Sequence, residues 1–129
     1  MSSKKTPPAL SDSQIAIMHV LWDREEATLG EIWAEVTADR PLAKNTVQTL
    51  LTRLVEKGWV NYRDTGKGFL YRSAQGRRAA RKQILSRVLD AAFQGSTEGL
   101  VMTLLETRRI TPEEAARLRA LIDAAEEGS

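Results

Sequence analysis

Apolar and polar residues alternate along this chain with a helical period in three consecutive stretches, then with a strand-like period, then helically again. Ile15, Met18, Val20, Leu21 and Trp22 form the apolar face of a first helix ending near Asp23, with Ser11 and Gln14 ahead of it in the S-x-x-Q order of a capping box. Thr28 and Glu31 repeat the box before Ile32, Trp33 and Val36, which predicts a helix of about ten residues from Leu29. Pro41 separates it from a third. From Lys44 to Lys57 the residues Val47, Leu50, Leu51, Leu54 and Val55 recur at helical spacing, and Gly58 supplies a left-handed C-terminal stop.

The period then changes. Trp59 to Arg63 and Phe69 to Arg72 are short β-prone runs joined through Asp64-Thr65-Gly66-Lys67-Gly68, which predicts a hairpin with a basic tip. Beyond Gly76 the helical stripe returns with Ile84, Leu85, Val88, Leu89, Ala92 and Phe93, and stops at Gly95. Ser96 can cap a segment carrying Leu100, Val101, Leu104 and Leu105. Thr111-Pro112-Glu113-Glu114 announces a last helix with Leu118, Leu121 and Ile122 on its apolar face.

The expected organisation is therefore a loose tail over 1–9, a domain of three helices and a two-stranded wing over 10–75, and a three-helix region over 76–129. This is a mainly α fold of winged helix-turn-helix type with a helical appendage. Three short helices bury little by themselves, so a second copy of the chain is the economical partner. Leu89, Phe93, Leu100, Val101, Leu104, Leu105, Leu118, Leu121 and Ile122 are the candidate dimerisation residues.

Charge locates the functional end. The total of +2 hides a net −4 over 1–39, +9 over 40–82 and −3 over 83–129. A basic middle between acidic flanks points to an anionic partner, of which nucleic acid is the usual one. The third helix fits that partner: the major groove admits a helix with hydrogen-bonding side chains on its first turns, while a wing reaches the neighbouring backbone. Asn45, Thr46, Gln48 and Thr49 are the candidate base contacts, since short amides and threonine methyls suit adenine and thymine edges. Lys44, Thr52, Arg53, Lys57, Arg63, Lys67 and Arg72 are the backbone candidates. A winged-helix module that joins proteins without holding DNA is the alternative; steep salt dependence of duplex binding separates the two.

Other chemistries find little support. There is no cysteine and a single histidine, His19, so neither metal, nor cofactor, nor a catalytic triad is expected. Trp22, Trp33 and Trp59 sit among apolar residues and are read as core. No apolar run of membrane-spanning length and no secretory signal is evident, so neither membrane insertion nor export is expected and the cytoplasm is the expected location.

Lys44-Asn45-Thr46-Val47-Gln48-Thr49-Leu50-Leu51-Thr52-Arg53-Leu54-Val55-Glu56-Lys57-Gly58 resembles the T-V-Q-T-x-L-x-R-L-x-x-K-G stretch of penicillinase repressors of the BlaI, MecI and CopY type. Leu10 to Trp22 is similar to that family's opening, with Gln14 at its usual acidic position, and Phe93-Gln94-Gly95-Ser96 to its F-[DN]-G-S turn. The resemblance runs from Leu10 to about Ala125. It implies a homodimeric repressor on double-stranded DNA, reading a palindromic operator with its winged helices and released by an inducing signal. In the β-lactam-responsive type a membrane sensor protease leads to cleavage at an Asn-Phe bond; Thr103-Leu104 stand at the matching positions here. The copper-responsive type uses cysteine pairs that this chain does not have.

Overall fold

Hydrogen-bonded caps set the helix starts. In a computed structural model, which describes residues 10–128, the Gln14 amide donates to Ser11 Oγ at 3.2 Å and the Ser11 amide to Gln14 Oε1 at 3.0 Å. That closed box starts α1 (Asp12–Arg24), and the Thr28–Glu31 pair closes a second ahead of α2 (Leu29–Val36). Then come α3 (Lys44–Glu56), β1 (Val60–Asp64), β2 (Phe69–Ser73), α4 (Arg77–Phe93), α5 (Thr97–Thr107) and α6 (Pro112–Glu127). The expected tail, 1–9, lies outside the described residues.

The end of α3 is a Schellman motif. Gly58 takes φ +88°, its amide donates to the Val55 carbonyl at 3.1 Å, and the Trp59 amide reaches back to Leu54 at 2.9 Å. The chain thus enters β1 with Trp59 directed inward. β1 and β2 pair antiparallel with Tyr62 opposite Tyr71, and Ala27 exchanges two backbone hydrogen bonds with Tyr71, at 2.9 and 3.0 Å, tying the loop after α1 to the hairpin.

The chain divides into two compact units, one up to Arg87 and one from Val88 onward, with α4 running across the division. In the first, Ile17, Met18, Leu21, Ile32, Val47, Leu51, Leu54 and Trp59 make a closed core from α1, α2, α3 and the hairpin. Burial of each such side chain contributes about 1.5–3 kcal/mol, which makes this core the main source of stability for the unit. The first half of α4 belongs here too: Ala80 is fully buried and Ile84 packs against the core. Arg77, the first residue of α4, also pairs with Asp23 and lies over the Trp22 ring.

In the second unit, Ser96 Oγ accepts from the Gly99 amide at 2.9 Å and Thr111 Oγ1 from Glu114 at 3.0 Å, capping α5 and α6, with Pro112 at the first helical position. Among the described residues, no side chain from Val88 onward is buried. The leucine stripes exist, but they face outward.

Candidate nucleic-acid interface

The two faces of α3 differ. Val47, Leu51 and Leu54 are fully buried, which orients the helix and leaves Asn45, Thr46, Gln48, Thr49, Thr52 and Arg53 exposed on the opposite side. Thr49 Oγ1 donates to the Asn45 carbonyl at 3.1 Å and Thr52 Oγ1 to Gln48 at 3.0 Å. Both hydroxyl protons are thereby used within the helix. What these threonines present outward is a methyl group and an acceptor lone pair, while Asn45 and Gln48 present amides.

At the start of α3, Ala43 holds the extended conformation of an N-cap without a side-chain bond to offer. The Lys44 ammonium lies 5.9 Å from the centre of the Trp33 ring, whose indole Nε1 donates to the Leu42 carbonyl at 2.9 Å. Trp33 is 37% exposed, which corrects its assignment to the core; its anchored indole instead supports the lysine from below. Trp59 is core, and Trp22 is half-buried, donating to the Gln75 carbonyl at 3.2 Å beneath the Arg77 guanidinium.

The wing also has two faces, since successive residues of a strand point to opposite sides. By register, Tyr62, Phe69 and Tyr71 share the side that carries core-facing Val60, while Asn61, Arg63, Leu70 and Arg72 share the other. Tyr62 and Phe69 pack at a tilt of 42° with centroids 4.6 Å apart, yet both remain exposed. Burial, and secondarily the neighbouring Tyr62 hydroxyl, raises the Tyr71 hydroxyl above its ordinary value. Lys67 stands at the tip between Gly66 at φ +85° and Gly68 at φ +136°, in a turn closed by the Thr65 amide and hydroxyl on the Gly68 carbonyl.

The basic residues divide by partner. Arg63 is already engaged: its Nε and an Nη meet the Glu26 carboxylate at 3.0 and 3.3 Å. The hydrogen bond from Arg63 holds the Glu26 carboxyl below its ordinary value, aided by the charges of Arg63 and Arg72. Arg24 and Arg77 are likewise paired, with Glu31 and Glu35, and with Asp23. Lys44, Arg53, Lys57, Lys67 and Arg72 have no carboxylate within ion-pair distance among the described residues. Glu26 and Trp33 join the site through contacts distant in sequence, with Arg63 and with Lys44.

Of the candidate dimerisation residues, Leu89, Phe93 and Leu100 are half-buried, and Val101, Leu104, Leu105, Leu118, Leu121 and Ile122 are exposed. Among the described residues no cluster of three or more His, Asp or Glu could hold a metal ion, and no helix is long and apolar enough to cross a membrane.

Three helices in this order, the third polar on its outer side and followed by a basic hairpin, define a winged helix-turn-helix protein. The chain belongs to the penicillinase repressor family, whose model matches residues 10–124. It is similar to the penicillinase repressor of Bacillus licheniformis, with 24% identity over 119 residues, 92% of this chain and 93% of that protein. Against the methicillin resistance regulatory protein MecI of Mammaliicoccus sciuri it is 23% identical over 114 residues, 88% of this chain and 93% of that one. The solved DNA-binding domain of the repressor BlaI matches at 28% identity and a TM-score of 0.50, over 54% of this chain and 85% of that domain. The family and the winged-helix fold expected from the sequence are both found, and these relatives are named as repressors or regulators.

Proposed function

We propose that this chain is a DNA-binding transcriptional repressor that acts in the cytoplasm as a homodimer on an inverted-repeat operator. The observation that carries the reading is the exposed polar face of α3, flanked by the unpaired Lys44 and the wing-tip Lys67, on a fold like that of the BlaI DNA-binding domain. Asn45, Thr46, Gln48 and Thr49 address base edges; the methyls of Thr46 and Thr49 suit thymine, and the amides suit adenine. Lys44, Thr52, Arg53, Lys57, Lys67 and Arg72 address phosphates, joined by Arg63 once it leaves Glu26. The winged unit spans 10–75 with the start of α4 packed on it, and the helices beyond it pair two chains through Leu89, Phe93, Leu100, Val101, Leu104, Leu105, Leu118, Leu121 and Ile122. Two-fold symmetry then sets half-sites about 34–36 Å apart, or a multiple of that.

The test is fluorescence anisotropy on duplexes selected from a random library. Log affinity falls with log salt by about 0.9 per phosphate neutralised. Asn45→Ala or Thr49→Ala costs about 1–3 kcal/mol on the selected operator and relaxes its specificity, whereas Lys67→Ala weakens all sequences alike. Absence of binding to any duplex at low salt refutes the reading and favours the protein-joining module.

Thr103 and Leu104 lie inside α5, where the backbone is hydrogen-bonded, so a membrane sensor protease acting there has to open the helix first.

A further inference from the structure

Between the start of α2, the start of α3 and the wing lies a groove of about 630 Å³. Its walls are largely apolar, with Leu29, Phe69, Leu70 and Tyr71, and Lys44 and Lys67 stand on it. No carboxylate lines it. Thr28 and Thr65 add hydroxyls, and Gln48 adds an amide. The size falls within the range of about 300–1,000 Å³ usual for small-molecule sites, and a mainly apolar lining with a few polar groups is their usual composition.

Charge decides what fits. Elsewhere on this unit Arg24, Arg63 and Arg77 are neutralised by carboxylates, yet the two lysines of the groove have none among the described residues. The Lys44 ammonium is also held in place, above the Trp33 ring and about 4.0 Å from where a side chain on Gly30 would begin. A second groove, between α1 and α2, has Asp12, Asp23, Glu35 and Asp39 on its walls, and that negative charge disfavours an anion.

We propose that the groove binds a small amphipathic anion, an aromatic or aliphatic body bearing a carboxylate, and that this ligand competes with DNA. The apolar body lies against Phe69 and Leu29, and the carboxylate lies between Lys44 and Lys67. The competition rests on the DNA reading above, because Lys44, Gln48 and Lys67 are the residues assigned to the duplex. A bound anion takes both ammonium groups and fills the space between wing and recognition helix, which makes it an inducer that acts without proteolysis.

The probe is sodium 2-naphthoate, titrated into the full-length chain and followed by amide chemical shifts, with neutral 2-naphthamide as control. Saturable shifts are expected at Gly30, Gln48, Lys67 and Gly68. Lys44→Gln with Lys67→Gln weakens naphthoate by about tenfold or more, the scale of a lost charged hydrogen bond, and lowers the melting temperature by no more than the few degrees that the lost contact with Trp33 accounts for. The amide control binds about tenfold or more weakly for the same reason. Saturating naphthoate lowers duplex affinity by about fivefold or more. Shifts confined to α5 and α6, no saturation by about 10 mM, or undiminished affinity in the double variant overturns the site. Naphthoate that shifts the groove amides without lowering duplex affinity overturns the inducer role. A chain that binds no duplex even without naphthoate overturns the DNA reading instead, and the amide shifts then judge the groove independently.

Discussion

Leu121→Asp tests whether the outward-facing leucines of α5 and α6 pair two chains. Leu121 is 66% exposed and Ile122 is 62% exposed, and Val101, Leu104, Leu105 and Leu118 lie between 38% and 51%. Moving a leucine from full exposure to burial gains about 1.5–3 kcal/mol, so covering the exposed two-thirds of Leu121 gains about 1–2 kcal/mol. A two-fold interface contains each residue twice, which makes the loss about 2–4 kcal/mol per dimer. That corresponds to a Kd weakened by about thirty- to several-hundred-fold. Buried aspartate adds a desolvation penalty, so the figure is a lower bound. Sedimentation equilibrium from nanomolar to tens of micromolar concentration reads it, and circular dichroism checks that the helices persist. A wild type that stays monomeric throughout, or a variant whose Kd moves by less than about fivefold, refutes the reasoning.

Three other outcomes follow from local geometry. Gly58→Ala destabilises the first unit by about 1–2 kcal/mol in urea melts, because φ of +88° strains an L-residue even though no atom lies within 4 Å of the added Cβ. Ala43→Ser gains about 0.5–2 kcal/mol by supplying the missing cap of α3, visible as a rise of several degrees in melting temperature. Glu31 and Glu26 both sit below their ordinary value of 4.5, Glu31 chiefly through the bond from the Thr28 amide and Glu26 chiefly through Arg63. A carboxyl depressed in the folded state stabilises fully above its unfolded value and ceases to do so as pH falls through the folded one. Melting temperature therefore drops as pH falls below about 4.5, and Glu31→Gln makes that drop shallower.

Most of the fold was legible because its signals are local. Ser11 and Gln14, Thr28 and Glu31, and Gly58 each act within a few residues of themselves, and caps, stops and apolar spacing follow from such short-range chemistry. The polar face of α3 was legible for the same reason, since burying Val47, Leu51 and Leu54 determines what is left outside. What escaped the sequence depends on contacts across the chain. Arg63 reads as a free cation until the loop after α1 brings Glu26 against it, and Trp33 reads as core until Lys44 and the Leu42 carbonyl give it a place at the rim. Ala80 gave no sign of being buried, because an alanine in the stretch Arg78-Ala79-Ala80-Arg81 carries no periodic signal.

The pair of backbone bonds between Ala27 and Tyr71 has a consequence for how the wing can change over time. Rigidity along the hairpin is graded: its root shares hydrogen bonds with the loop after α1 and unfolds with the core, whereas residues 65–68 are held only by their own turn. Slow amide exchange should end near the Ala27–Tyr71 bridge. Insertions, deletions and altered charge at the tip are thus separated from the folding of the domain, so the reach of the wing can diverge between related chains while the scaffold stays the same.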